Sequence, residues 1–185
     1  KNKIAIIPHC FDPNDYPKGP QKNTSKFIIS HIGAFYEQRT PETLFKSINK
    51  AIKDNKNIES ELIVKLIGGA ADYTGYNISE INILIKKYGL EKLVKLLPQI
   101  DYKASLAEMK NSDLLIIIDA DLTESPFLPS KAVDYAGSGT PILAITPKDS
   151  TTKKFLTELG YKSYEHSDID EISRYIIRAI NEGID

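Results

Sequence analysis

The run Asp113-Leu114-Leu115-Ile116-Ile117-Ile118-Asp119 restricts the fold more than any other part of the chain. Five consecutive apolar residues between two aspartates have no polar face to offer water. The segment therefore reads as a parallel strand buried on both sides, and it is far too short to cross a bilayer. A polar loop follows. Pro129 then sits where a helix starts without losing a hydrogen bond, with Lys131, Asp134 and Tyr135 in the first turns. Gly137 and Gly139 close that helix, and residues 141–145 read as a second buried strand. Residues 113–145 thus form a strand-loop-helix-strand unit. Its loop and first helical turn stand at the carboxyl end of a strand, where open α/β sheets bind ligands and a helix N-terminus attracts anions.

The same alternation runs along the chain. Residues 4–7 and 27–32 read as strands, separated by a surface loop at 12–25 rich in proline, glycine and polar residues. Thr40-Pro41-Glu42 supplies an N-cap, a first-turn proline and an early acid in order, and Leu44, Phe45, Ile48, Ala51 and Ile52 share one face of the helix that follows. Residues 61–67 read as a strand ending at Gly68-Gly69, where the backbone turns tightly or lets something approach closely. Ile81, Leu84, Ile85 and Tyr88 define an amphipathic helix stopped by Gly89, and residues 93–97 form a strand stopped by Pro98. Residues 102–110 then form a helix with Leu106 and Met109 facing inward. Beyond 145 the pattern predicts a helix over 150–159 ended by Gly160, an edge strand at 161–164, and a last helix. That helix opens on a capping-box-like pair, Asp168 and Glu171, and buries Ile172, Ile176, Ala179 and Ile180. Strands alternating with helices through right-handed crossovers give an α/β fold: a doubly wound parallel sheet, Rossmann-like, in three α/β/α layers.

A chain of 185 residues suits one domain, 1–185, that buries roughly 70% of its unfolded surface, with 1–25 as a connector. The 24 basic and 25 acidic residues nearly cancel, so the overall field that nucleic acid or an anionic membrane would need is missing, and nucleic acid is not an expected partner. A single cysteine, Cys10, excludes an internal disulfide framework and fits a reducing cytosol. No segment reads as a signal peptide or a transmembrane anchor. The expected setting is cytoplasmic, with peripheral association at the inner face of the membrane left open for the full-length protein. The chain begins on an apolar run without an initiator methionine or a preceding cap, and it is expected to be a piece of a longer protein; processing would give the same start.

The loops decide the chemistry, because a Rossmann-like sheet hosts many functions. A dinucleotide fingerprint needs several glycines after the first strand, where this chain offers only Gly33, and no Walker-type GKS or GKT exists; NAD and P-loop readings are disfavoured. The polar groups expected at the carboxyl edge are Arg39, Glu124, Ser125, Ser130, Lys131 and Asp134. Two cations, two carboxylates and a helix N-terminus suit a phosphorylated ligand with hydroxyls, such as a nucleotide sugar. The paired acids Asp119 and Asp121 invite a metal reading, but strand-end acids are common and no metal is expected. His9, His31 and His166 lack ligand spacing and read as structural or incidental, with His9 in the connector and able to border a cleft. Tyr36 reads equally as a pocket-mouth or a core residue.

Four segments, IPHCFDP, GAFYEQRTPETLFKSI, SDLLIII and PSKAVDYAGSGTPILAI, together resemble the carboxyl-terminal, donor-binding half of group 1 (family 4) glycosyltransferases of the GT-B fold, in order and spacing over most of the chain. The resemblance implies a half-molecule whose amino-terminal acceptor domain is absent. It implies an enzyme that transfers a sugar from a UDP- or GDP-sugar to a glycan or lipid-linked acceptor in polysaccharide synthesis, with retention and without a metal or other cofactor. It carries Arg39, in the loop begun by Gly33, onto the family's diphosphate-binding basic residue, with Lys131 adding charge; these two are the expected catalytic residues. It places Asp134 on the ribose, Phe127, Leu128 and Ser130 at the turn that approaches phosphates and sugar, and Ile100 where backbone groups bind the base. Two positions depart from the pattern: Ala34 stands where a second basic residue is usual, and Pro126 where a sugar-contacting glutamate is frequent, with Glu124 or Asp121 as substitutes. A sugar-nucleotide epimerase or hydrolase of the same fold, and a non-catalytic nucleotide-sugar binding module, are the alternatives.

Overall fold

The structure, a computed structural model, describes residues 9–19, 22–36, 38–68 and 78–184; the strand expected at 4–7 and the glycine at 69 lie outside these residues. Its strands are β1 (Phe27–Ile32), β2 (Leu62–Ile67), β3 (Val94–Leu97), β4 (Leu114–Ile118), β5 (Glu124–Ser125), β6 (Ile142–Ile145), β7 (Asp149–Ser150) and β8 (Lys162–Tyr164). Six of them form one parallel sheet in the order β3-β2-β1-β4-β6-β8. The chain winds outward from β1 on one side and from β4 on the other. Winding therefore reverses between β1 and β4, and the loops leaving these strands diverge to open a crevice. The β1–β4 ladder is short, with pairs at Ile29↔Leu114 and Ser30↔Leu115, whereas β1 pairs with β2 along its whole length.

Every residue of β4 is buried. Side chains alternate across a strand, so Leu114, Ile116 and Ile118 join one core and Leu115 and Ile117 the other. The first core also holds Leu44, Phe45, Ile48 and Ala51 of α1 (Glu42–Asp54), Ile58 of the one-turn α2 (Ile58–Glu61), Ile81 and Ile85 of α3 (Ile78–Lys87), and Ile172 and Ile176. The second holds Leu106 and Met109 of α4 (Tyr102–Lys110), Ala132 and Tyr135 of α5 (Lys131–Ser138), and Leu156 of α6 (Thr151–Glu158). Helices on both faces of the sheet complete the expected three layers. Each fully buried aliphatic side chain contributes about 2 kcal/mol.

Four local expectations are corrected. Glu61 ends α2 rather than starting β2, a short helix with no amphipathic period to announce it. The capping box at the start of α7 (Ile169–Glu182) does not form: the Asp168 carboxylate accepts from the amide of Glu165 at 2.8 Å, and Glu171 pairs with Arg174. Thr40 lies one residue ahead of the N-cap, Pro41, and Pro129 one ahead of Ser130, so both helices start later than the proline position suggests. Gly139 closes α5 at φ +70°, but Gly137 lies within the helix, where a Cβ would collide with the ring of Phe11 and the hydroxyl of Tyr16.

Candidate functional site

Tyr135 fixes the geometry of the crevice. It is fully buried, its hydroxyl accepts from the amide of Ile32 at 2.8 Å, and it pins α5 against the carboxyl end of β1. The chain then passes through Gly33 at φ +137°, a backbone conformation that favours glycine. The missing Cβ matters twice, because the Lys131 amine occupies the space that it would fill.

A cavity of about 440 Å³ lies over this point, between the carboxyl ends of β1 and β2 and the first turn of α5, within the usual range for small-molecule sites. Gly33, Ala34, Gly68, Gln99, Ile100, Tyr102, Ser130, Lys131 and Asp134 all border it. The N-terminus of α5 opens into it: Ser130 is the N-cap, and its side chain makes no capping bond. The first turn closes through the bonds Ala132 N–H to Pro129 O and Val133 N–H to Ser130 O.

Two groups of polar side chains meet here. On the ribose side of the expected site, Asp134 is buried and its Oδ1 accepts from the Tyr102 hydroxyl at 3.1 Å, while its backbone carbonyl accepts from Tyr16 at 2.7 Å. Across the cavity, the Lys131 amine lies 3.3 Å from His31 Nε2. Burial, then the like charge of Arg39, lower the amine to about 7, against the pull of Asp119. Burial also holds His31 well below its ordinary range, followed by the charge of Lys131.

Arg39 comes from a tight turn in which Tyr36 and Arg39 exchange both backbone hydrogen bonds. Its guanidinium lies over the Tyr36 ring, 4.7 Å from the centroid, and 3.7 Å from Asp119. Tyr36 is therefore neither core nor cavity lining but the platform for Arg39. Asp119 is almost wholly buried, and neither carboxylate oxygen has a hydrogen-bond partner among the described residues. Burial raises its carboxyl above the usual range, while Thr152, Arg39, Lys131 and His166 pull the other way.

The structure brings Gly33, Ile100, Ser130, Lys131 and Asp134 to one cavity. Arg39 stands behind it rather than on its lining. Phe127 and Leu128 are exposed beyond it, on a loop held to α6 by the hydroxyls of Thr151 and Thr152, which donate to the carbonyls of Pro126 and Phe127. The β5–β7 pair, Glu124↔Asp149 and Ser125↔Ser150, holds the same loop and has no counterpart in the expected elements. Asp121 borders a second cavity with Gln38, Thr40 and His166, apart from the buried Asp119, so the two acids do not converge. Among the described residues no group of three or more His, Cys, Asp or Glu is placed to hold a metal, and no helix is long and apolar enough to cross a membrane. His9 is exposed, and His166 bridges the Thr43 hydroxyl and the Asp119 carbonyl. The roles of His31 and Tyr102 escape the sequence reading; the only signals are a polar residue near the end of an apolar strand and a tyrosine opening the helix after residues 98–100.

Together, the sheet order and its flanking helices make the α/β fold found as one half of GT-B glycosyltransferases. Solved structures with this fold cover nearly the whole chain. Sucrose-phosphate synthase from Thermosynechococcus elongatus superposes with a TM-score of 0.74 at 17% identity, covering 97% of this chain and 44% of that one. Anabaena HepE in complex with UDP gives 0.74 at 18% identity, covering 96% and 48%. The C-terminal domain of LpcC, a group 1 family glycosyl transferase from Francisella tularensis, gives 0.68 at 13% identity, covering 93% of this chain and 88% of that domain. The chain thus spans less than half the length of the synthase and of HepE. No family model and no curated sequence matches it.

Proposed function

We propose that this domain binds the nucleotide diphosphate sugar donor of a group 1 glycosyltransferase, in a full-length protein that transfers the sugar to a glycan or lipid-linked acceptor in polysaccharide synthesis. The observation that carries the reading is one cavity over the carboxyl ends of β1 and β2 that joins a lysine amine, a helix N-terminus and a buried carboxylate. The UDP named for HepE supports it. In this reading the diphosphate lies against Lys131, Gly33 and the amide end of α5, the ribose hydroxyls reach Asp134, and the base lies along Gln99 and Ile100. As the bond from the anomeric carbon to the β-phosphate oxygen breaks, the electron pair stays on the diphosphate. Lys131, Arg39 and the helix end stabilise that growing charge. The acceptor hydroxyl forms the new bond at the anomeric carbon, and its proton passes to a base. Retention of configuration and independence of metal belong to this proposal.

Calorimetry with UDP, GDP, ADP and their sugars, in chelator, tests the site. At least one should bind, and Lys131→Ala, Arg39→Ala and Asp134→Ala should each weaken it; no binding at millimolar concentration overturns the reading. The exposed position of Phe127, with proline in place of glutamate at 126, favours a second reading: a module that binds the nucleotide without transfer. Product analysis on the full-length protein separates the two.

A further inference from the structure

The β1–β4 ladder ends at Ser30↔Leu115. One residue beyond it, the carbonyl of Ile116 takes the ring of His31, with Nδ1 at 2.9 Å. A carbonyl only accepts, so Nδ1 carries the hydrogen and Nε2 presents a lone pair. The opposite tautomer would set bare Nδ1 against the carbonyl, a repulsion in a fully buried place, and direct an N–H at the Lys131 amine, which has no lone pair to accept it when protonated. The ring has no freedom to turn away. It stacks on Phe35 with centroids 4.4 Å apart and planes 19° apart. Its Nε2 aims at the Lys131 amine on the cavity floor, and Gly33 leaves room for that amine.

We propose that His31 is a positioning residue for diphosphate recognition: neutral, with its hydrogen on Nδ1, it holds the Lys131 amine over Gly33 through Nε2, in place for an anionic ligand in the cavity over the carboxyl ends of β1 and β2. The ring touches no ligand itself. A lysine has four rotatable side-chain bonds, so an unheld amine would lose conformational freedom each time an anion bound, whereas this one is fixed beforehand. The groups facing the amine are His31 from β1, Arg39 from the 36–39 turn and Asp119 after β4. The inference rests on the nucleoside diphosphate reading of the cavity, but the contact itself can be tested without ligand.

The ligand-free measurement is ¹⁵N NMR of the histidine rings from pH 6 to 9. His31 should keep the Nδ1–H tautomer throughout, and its Nε2 resonance should follow the ionisation of Lys131 with a midpoint near 7. Lys131→Met should abolish that dependence. An Nε2–H tautomer, or an Nε2 signal unchanged by Lys131→Met, overturns the proposal whether or not any nucleotide binds. The second measurement compares UDP and GDP with uridine and guanosine. His31→Phe, which keeps the stacking on Phe35, should weaken diphosphate binding about tenfold and leave nucleoside binding unchanged. The loss should not add to that of Lys131→Met, and His31→Gln should recover part of it. Equal loss for nucleoside and diphosphate, or full additivity, assigns His31 to packing alone and overturns the proposal. If the NMR result holds and no diphosphate binds, the contact stands, but the functional reading fails and the recognition role with it.

Discussion

The guanidinium of Arg39 stands 3.7 Å from the carboxylate of Asp119, close enough to pair but without a hydrogen bond between them. Arg39 Nε is likewise buried and unpartnered among the described residues. Asp119 therefore serves as countercharge to two cations, Arg39 and Lys131, at the price of its own hydration. In the proposed complex the diphosphate takes over that role, and the aspartate then competes with the ligand.

Asp119→Asn follows from this arrangement. The carboxyl of Asp119 lies above its ordinary range, so the folded protein binds more protons there than the unfolded chain, and stability falls as pH rises through that window. Replacing the charge with an isosteric amide should therefore raise the thermal midpoint at pH 7. The gain should shrink toward acid pH, where the wild-type carboxyl is protonated. Scanning calorimetry at pH 7 and pH 4 checks the sign. A drop in stability at pH 7 would show that the Arg39 pair outweighs the cost of burial. Diphosphate affinity should rise in the same variant.

Lys131 gives a pH dependence of binding. Its amine is lowered to about 7 in the empty site, chiefly by burial. An anion binds the protonated form better, so affinity should be highest below pH 7 and fall toward a limit of about tenfold per pH unit above it. At pH 8 binding should take up close to one proton. Titration of a nucleotide sugar, whose diphosphate has no ionisation of its own in this range, in Tris and in HEPES reads that uptake as a difference in apparent enthalpy. A flat pH profile from 6 to 9 would mean that the amine stays charged in the empty site.

How much of this was legible follows from which signals are local. Strands β1 and β4 and helix α4 are read with their observed bounds because burial on two faces and a 3.6-residue period are written in consecutive residues. Lys131 and Asp134 are three apart on one helix and border the same cavity. His31 and Tyr102 are placed by pairing between distant segments, which no periodicity encodes. The anchoring of residues 124–128 depends on a two-residue ladder to β7, and α2 is a single turn. Arg39 lies in the loop after β1, but for its neighbour Asp119 the sequence offers only a strand-end position and nothing of its buried environment.

Asp134 should be read out by the ribose. Its Oδ1 already accepts from Tyr102, leaving Oδ2 for a ligand hydroxyl. A hydrogen bond to a charged acceptor contributes about 1.5–3 kcal/mol, so the nucleoside diphosphate that binds should exceed its 2′-deoxy analogue by about tenfold or more. Asp134→Ala should reduce that ratio to near one, and Tyr102→Phe should preserve it. Competition titrations with the two nucleotides measure the ratio directly. A ratio that survives Asp134→Ala would move the ribose contact elsewhere in the cavity.

Gly137 ties the connector to the site. Glycine inside a helix normally costs about 1 kcal/mol relative to alanine, yet here a Cβ would meet the Phe11 ring and the Tyr16 hydroxyl. Both obstacles are side chains of the connector rather than backbone, so the connector should yield and α5 should not. Gly137→Ala should therefore release Tyr16 from the Asp134 carbonyl and speed amide exchange across residues 11–16 by about tenfold, with the α5 amides unchanged. Combined with Phe11→Ala and Tyr16→Ala, the same substitution meets no obstacle and should stabilise the domain by about 1 kcal/mol. Hydrogen exchange and urea unfolding on the single and combined variants test both halves. If Gly137→Ala stabilises the otherwise wild-type protein by the full helix-propensity gain, the connector is not clamped to α5 and cannot transmit its position to Asp134.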